Sequence, residues 1–283
     1  MIDIILNNLI PFIIILTILV FVHELGHYLI ARKNGVKVEV FSIGFGKELF
    51  GFTDKNETRW KFSLIPLGGY VKMHGDLDEA STKRNDSIEI IPGQSFHEKT
   101  IYQRSMILVA GPAANFIFSF VLLIFINIFY GITIDKPEIS YVEKDMPAYN
   151  AGLKEGDLII EIDGNKIEKF SQIKRIIENK NNQSINLLFS RDGKVSEVNV
   201  NVINNIIGIR GKIENKKLNF IESFSESLLQ IYNFTTLTLV GVYEIITGNR
   251  GTDELGGPIR IAELSGDFWS KGLHSTLWFM MII

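Results

Sequence analysis

Two histidines and a glutamate interrupt a long apolar segment near the amino terminus. His23, Glu24 and His27 spell His-Glu-x-x-His within the run from residue 10 to residue 33. In a helix, residues four apart lie on one face and about 6 Å apart along the axis, so both imidazoles can bind one metal ion. Glu24 would stand beside them to take a proton from a metal-bound water. The motif therefore predicts a zinc site with Glu24 as the catalytic base.

Two other interpretations of the motif have to be weighed. Such a short pattern also arises by chance on solvated surface helices, but the flanks 12–22 and 28–31 are almost wholly apolar and offer no solvated face. The second alternative is a polar contact between two membrane helices. Ionisable side chains are costly inside a membrane segment and usually mark function, which favours the metal site.

The composition favours a membrane protein. The 283 residues are 46% hydrophobic and carry a net charge of −3, so we expect no nucleic-acid partner. The chain has no cysteine, which excludes disulfides, thiolate ligands and a cysteine protease. The apolar residues are clustered in long runs, and we expect these runs to contact a lipid bilayer.

The apolar runs predict three membrane spans and the start of a fourth. Basic residues (Arg32, Lys33 and Lys37) follow the first run, and none precedes it within residues 1–11. The positive-inside rule then puts the end of the first span in the cytoplasm. The predicted order is a first span within 1–35, a cytoplasmic loop at 74–105, a second span at 106–131, an amphipathic approach and third span at 220–248, a loop at 249–272 and an incomplete span at 273–283.

Between the first two spans, residues 36–73 predict a membrane-associated β-hairpin. They are rich in β-forming residues, and a polar turn at 53–58 divides them. The hairpin is either structural or an edge that pairs with an extended substrate strand beside the metal. The second role is attractive because a helix hides its peptide bonds from hydrolysis. The candidate substrate-binding residues are Gly68, Gly69 and Tyr70, together with the polar Asn115 of the second span.

Residues 138–213 differ from the rest in their soluble composition. Residues 151–157 read Ala-Gly-Leu-Lys-Glu-Gly-Asp and precede a predicted strand, a helix at 172–179 and two strands that pair across a turn at 191–194. This segment resembles a bacterial PDZ domain, a module that binds peptide ends by adding a strand to an open sheet edge. The alternative is a spacer that only restricts access.

Taken in order, these segments are similar to those of one family. The HExxH span, IPLGGYVKM at 65–73, GPAANF at 111–116, the PDZ-like insertion and GGPI at 256–259 resemble the site-2 protease family, and in particular the bacterial regulator of sigma-E protease group. The resemblance implies a membrane α-helical bundle with a cytoplasmic-side reentrant β-hairpin and one inserted PDZ-like α+β domain. It also implies an inner-membrane Zn²⁺ protease, with the inserted domain in the periplasm. Its substrates would be membrane-spanning proteins that another protease has already trimmed, such as anti-sigma factors or signal-peptide remnants.

The sequence departs from the family in its third metal ligand. Family members take this ligand from an aspartate in a Leu-Asp-Gly motif, which is absent here; Asp253 and Asp267 lie in other contexts. A catalytic zinc site normally has three protein ligands. We therefore expect a copy that is truncated at its carboxyl terminus or, if complete, a weak metal site with little proteolysis. The alternative function is an inactive, membrane-tethered PDZ adaptor; a transporter is disfavoured because no paired repeats are visible.

Overall fold

The computed structural model describes residues 5–76, 91–178, 180–251 and 256–283. The chain divides into two compact units, each described here by itself. The first, the helical unit, combines Met1–Tyr130 with Asn219–Ile283, and the second, the inserted unit, covers Gly131–Leu218. The inserted unit is therefore wider than the predicted domain at 138–213.

Two helices of the helical unit are long and apolar enough to cross a membrane. They are α1 (Ile10–Lys33), which follows a π-helical segment (Ile5–Leu9), and α2 (Ile101–Phe129). Their 24 and 29 residues correspond to about 36 and 44 Å, against about 30 Å of hydrocarbon. The second span begins earlier than predicted, because the side chain of Thr100 caps the helix and Gln103 completes a capping box.

The carboxyl-terminal part of the helical unit differs from the prediction. The predicted third span lies in α5 (Phe220–Ile246). This helix contains polar residues and is not among the candidate spans, so α1 and α2 are the two candidates among the described residues. The predicted loop at 249–272 is wrong for its second half, which forms α6 (Pro258–Ser270). The prediction failed because Gly-Gly-Pro is also typical of a turn. A proline at the first helical position equally favours the start of a helix. The last helix, α7 (Leu273–Ile282), is apolar but only 10 residues long.

The predicted hairpin is present as β1 (Val38–Thr53) and β2 (Arg59–Met73). Residues 38–43 pair with 69–73 on one side and with 59–62 on the other, while residues 45–53 pair with 59–65. Gly44 and Gly46 have φ of +88° and +85° and bend β1, so that residues 40–43 and 50–53 can both pair with 59–62. Within the described residues, the segment 69–73 therefore forms an edge of this small sheet.

The hairpin packs on the carboxyl-terminal half of α1. Tyr28 and Ala31 of α1 share a buried cluster with Phe41 and Val71 of the hairpin and with Ile107 of α2. The aromatic rings are in contact, since the Tyr28 centroid lies 5.9 Å from that of Phe41. This cluster fixes the hairpin next to the His-Glu-x-x-His segment.

The inserted unit contains a sheet and two short helices. The strands are β3 (Ile132–Val142), β4 (Leu158–Ile162), β5 (Asn165–Lys166), β6 (Ser184–Arg191), β7 (Lys194–Asn201) and β8 (Ile209–Lys216), and the helices are α3 (Pro147–Asn150) and α4 (Phe170–Ile177). The sheet order is β7-β6-β4-β3-β8, with β5 beside β4. The aspartate that ends the Ala-Gly-Leu-x-x-Gly-Asp motif, Asp157, is buried and accepts two hydrogen bonds from Arg191 at 2.7 Å.

Candidate metal centre

The two long apolar helices α1 and α2 approach each other closely at glycines. A side chain at Gly26, within the His-Glu-Leu-Gly-His motif, would collide with the carbonyl oxygen of Ala110 and lie 2.7 Å from Cβ of Ala114. A side chain at Gly111 of α2 would collide with the His27 ring and lie 2.7 Å from Nε2 of His23. Small residues at such contacts let helix backbones approach, and here they bring α2 directly over the two imidazoles.

The two imidazoles of the motif point their Nε2 atoms at each other. The Nε2 atoms of His23 and His27 are 3.2 Å apart, and the ring centroids are 4.8 Å apart. Two ligands of one tetrahedral zinc, each at about 2.0–2.1 Å, have their nitrogens about 3.3 Å apart. The histidine pair therefore fits two adjacent positions of a zinc coordination sphere.

Helix α2 also holds the far nitrogens of both rings. Nδ1 of His27 lies 2.7 Å from the carbonyl oxygen of Ile107, and Nδ1 of His23 lies 3.4 Å from Nδ2 of Asn115. A metal-binding imidazole usually donates its other N–H to an outer partner, as His27 does to the carbonyl oxygen of Ile107. Asn115, predicted as a substrate-binding residue, thus has its amide nitrogen against the ring of His23.

The edge of the hairpin lies against Glu24, the second residue of the motif. A side chain at Gly69 would lie 3.1 Å from Cγ of Glu24 and 2.8 Å from a methyl carbon of Val20. The neighbouring Tyr70 is 8% exposed, so its side chain is buried. Of the predicted substrate-binding residues, Gly69 lies beside Glu24, whereas a side chain at Gly68 would meet the ring of Phe45 and the ring of Tyr70 packs against that of Phe45.

A third protein ligand is not found among the described residues. Within 5–76, 91–178, 180–251 and 256–283, no group of three His, Cys, Asp or Glu side chains is arranged to hold a metal. Asp253 lies outside the described residues, and Asp267 is exposed on α6. Two further histidines, His74 and His97, face carboxylates instead. His74 lies 2.9 Å from Glu39, and His97 lies 3.1 Å from Asp76.

Sequence reasoning missed two contributors to the site. The Ile107 carbonyl holds His27, and no sequence pattern identifies a backbone atom as a partner. Gly26 occupies a variable position of His-Glu-x-x-His, so the motif gave no reason to notice it. The small-residue run from 110 to 114 was the available signal, because it predicted close helix packing at this level of α2.

A convergent histidine pair beside a glutamate, on a helix apolar enough to span a membrane, defines the class of membrane metallopeptidases. Residues 11–283 match the model of peptidase family M50, and the chain belongs to this family. Relatives from several bacteria carry zinc-metalloprotease names. One from Rhizobium meliloti is 34% identical, with 96% of this chain and 79% of the relative covered. Another, from Rickettsia conorii, is 35% identical, with 98% and 81% covered.

One more distant relative and two solved structures are also similar to parts of the chain. The zinc metalloprotease RasP of Geobacillus kaustophilus is 29% identical, with 95% of this chain and 81% of the relative covered. The PDZ domain of an SdrC-like protein from Listeria monocytogenes is 26% identical with a TM-score of 0.24, covering 28% of this chain and 90% of that domain. The corresponding Listeria innocua domain is also 26% identical, with a TM-score of 0.24, and covers 30% of this chain and 100% of that chain.

Proposed function

We propose that this chain is an intramembrane zinc metalloendopeptidase that cleaves membrane-spanning protein substrates. The observation that carries the proposal is the distance of 3.2 Å between the Nε2 atoms of His23 and His27. Glu24 follows His23 directly in the chain, on a helix that is long and apolar enough to span a membrane. Family membership and the zinc-metalloprotease names of the relatives support both the metal and the reaction. Membrane embedding explains why the site lies among apolar side chains.

His23 and His27 would hold the zinc ion, and Glu24 would handle the proton. When bound, zinc supplies Lewis-acid polarisation of the scissile carbonyl and makes the attacking water more acidic. Glu24 accepts a proton from that water and delivers it to the leaving amide nitrogen. The hairpin excludes bulk water from one side of Glu24, since Gly69 lies directly on its side chain.

The edge segment 69–73 is the part of the hairpin best placed to hold a substrate. An extended peptide that pairs with this edge would lie beside Glu24 with its carbonyl groups unprotected, which a helical segment does not allow. Gly69 lets the backbone of this edge lie directly against Glu24, whereas a side chain at Gly68 would meet the ring of Phe45. Because the ring of Tyr70 is buried, we assign its contribution to the backbone.

The remaining parts of the proposal concern location and partners. Arg32 and Lys33 in the last turn of α1 support a cytoplasmic position for that end, in a bacterial inner membrane. The inserted unit would then be periplasmic. Its outer strand β8 is a candidate edge for a peptide end. Trimmed membrane proteins, such as anti-sigma factors or signal-peptide remnants, are the substrate class that the family resemblance supports.

Two variants of the motif test this function. Glu24→Gln should keep zinc but lose cleavage of a model transmembrane segment, because the amide cannot accept the proton. His27→Ala should lose both zinc and cleavage. Cleavage at the wild-type rate in Glu24→Gln would refute the assignment of the base.

A membrane-tethered adaptor is the second candidate function. It is favoured by one observation, that no third His, Cys, Asp or Glu joins the histidine pair in the part of the chain that the structure describes. Zinc analysis of the purified full chain separates the two functions. Near-stoichiometric zinc that is lost in His27→Ala supports the enzyme, whereas a chain that binds no zinc supports the adaptor.

A further inference from the structure

The side-chain amide of Asn115 faces the metal centre, and only one of its two polar atoms has a hydrogen-bond partner in the described part of the chain. Its Nδ2 atom lies 3.4 Å from Nδ1 of His23, while its Oδ1 atom is buried and has no hydrogen-bond partner among the described residues. A buried, unpaired carbonyl oxygen is costly and needs an explanation. The amide sits on α2, eight residues after Ile107, whose carbonyl oxygen holds the other imidazole.

The position of the ring proton is clear for His27. A carbonyl oxygen can only accept, so the 2.7 Å contact with Ile107 places the His27 proton on Nδ1. Nε2 of His27 is then a bare acceptor that faces Nε2 of His23 at 3.2 Å. The ring of His27 is thus fixed by the backbone of α2 in the tautomer that a metal requires.

Without a metal, only one tautomer of His23 can form hydrogen bonds with both His27 and Asn115. The Asn115 N–H donates to Nδ1 of His23, and His23 in turn donates from Nε2 to Nε2 of His27. In this state the proton of His23 occupies the position through which it would bind zinc. A metal can use Nε2 of His23 only if the proton moves to Nδ1, where the Asn115 N–H stands in its way.

We propose that Asn115 is a positioning residue that turns its amide to select the tautomer of His23. A half-turn about the last side-chain bond exchanges Nδ2 and Oδ1. The unused oxygen then accepts from Nδ1–H of His23, and Nε2 is free for zinc. This inference rests on the proposed metal site, and it assigns to Asn115 a role different from substrate binding.

Zinc affinity of three variants tests the proposal on the full chain in detergent. Asn115→Leu, similar in size but without an acceptor, should bind zinc about 10–100-fold more weakly, the usual cost of losing an outer partner. Asn115→Asp restores an acceptor and should stay within about threefold of the wild type. The matched control is Asn127→Leu, since Asn127 is an α2 amide that donates to Ser227 and Gln230 instead of an imidazole.

Nitrogen-15 NMR of the histidines gives a readout that a purely structural role would not move. The chain has five histidines, so selective labelling resolves the tautomer of His23. Without metal, the wild type should carry its proton on Nε2, whereas Asn115→Asp should carry it on Nδ1, because a carboxylate only accepts.

Two results would overturn the proposal: zinc affinity of Asn115→Leu within about threefold of the wild type, or Asn115→Asp as weak as Asn115→Leu. The His27→Ala variant shows which hypothesis has failed. If His27→Ala loses zinc and Asn115→Leu does not, only the role of Asn115 is refuted. If His27→Ala retains zinc, the metal site itself is refuted.

Discussion

A single methyl group at Gly111 should destroy the metal centre. In Gly111→Ala the new Cβ would lie 2.7 Å from Nε2 of His23 and would collide with the His27 ring. Since an ordinary contact needs at least 3.4 Å, the His23 nitrogen would have to retreat by roughly 0.7 Å, and the His27 ring by more. Zinc–ligand distances tolerate deviations of only about 0.2 Å. We therefore expect the variant to lose zinc binding and proteolysis together.

The effect of Gly111→Ala should not come from unfolding. Alanine is favoured over glycine inside a helix by about 1 kcal/mol, so the substitution stabilises α2 locally. The imidazoles have an escape route, because rotation about their side-chain bonds moves the rings without moving either backbone. The variant should therefore keep the helix content and detergent-extracted yield of the wild type.

The assay combines zinc titration, by competition with a chromophoric chelator, and cleavage of a model transmembrane segment. Gly241→Ala is the matched control, because it adds a methyl group to α5, where the nearest atom belongs to the flexible side chain of Arg250 at 3.3 Å. This control should bind zinc like the wild type. Wild-type zinc affinity in Gly111→Ala would refute the placement of α2 over the imidazoles.

Three further predictions concern other parts of the chain. Gly69→Val adds a side chain against Glu24, the proposed base, so kcat/KM should fall by at least about tenfold while zinc content stays unchanged. Asp157→Ala removes the buried acceptor of Arg191, and urea unfolding should show a loss of about 2 kcal/mol. Burial alone would raise the pKa of Asp54, but hydrogen bonds from Trp60 and the turn outweigh it and lower that pKa. The turn is therefore stabilised above about pH 4 and loses this contribution as the pH falls through the lowered pKa, an acid transition in tryptophan fluorescence that Asp54→Asn should lack.

The parts of the site that follow from spacing were predictable from the sequence. The interval between His23 and His27 determines their shared helix face, and the apolar flanks exclude a solvated surface. The hairpin followed from its alternation and its polar turn. These features are local, because each depends only on residues close together in the chain.

The parts that depend on tertiary contacts were not predictable. Residues 59–62 pair with both 40–43 and 50–53, which requires a bend of β1 at Gly44 and Gly46. Residues 38–43 also pair with 69–73, and neither glycine specifies which segment returns to the edge. The edge position of residues 69–73 follows from that pairing alone. In the carboxyl-terminal part, Pro258 supports a turn or a helix start equally well, and the packing of α6 on α1 decides between them.

The three glycines at the centre show why three separate motifs belong to one site. Gly26 lies in the histidine motif, Gly69 in the LGGY segment and Gly111 in GPAANF, and each meets a different neighbour across an interface. Because glycine has no side chain, Gly26 leaves space for the α2 backbone, Gly111 for the two imidazoles, and Gly69 for the side chain of Glu24. A side chain at Gly26 would separate the helices, one at Gly111 would move the ligands, and one at Gly69 would displace the edge strand. The three motifs thus meet around residues 23–27 of α1, although they lie far apart along the chain.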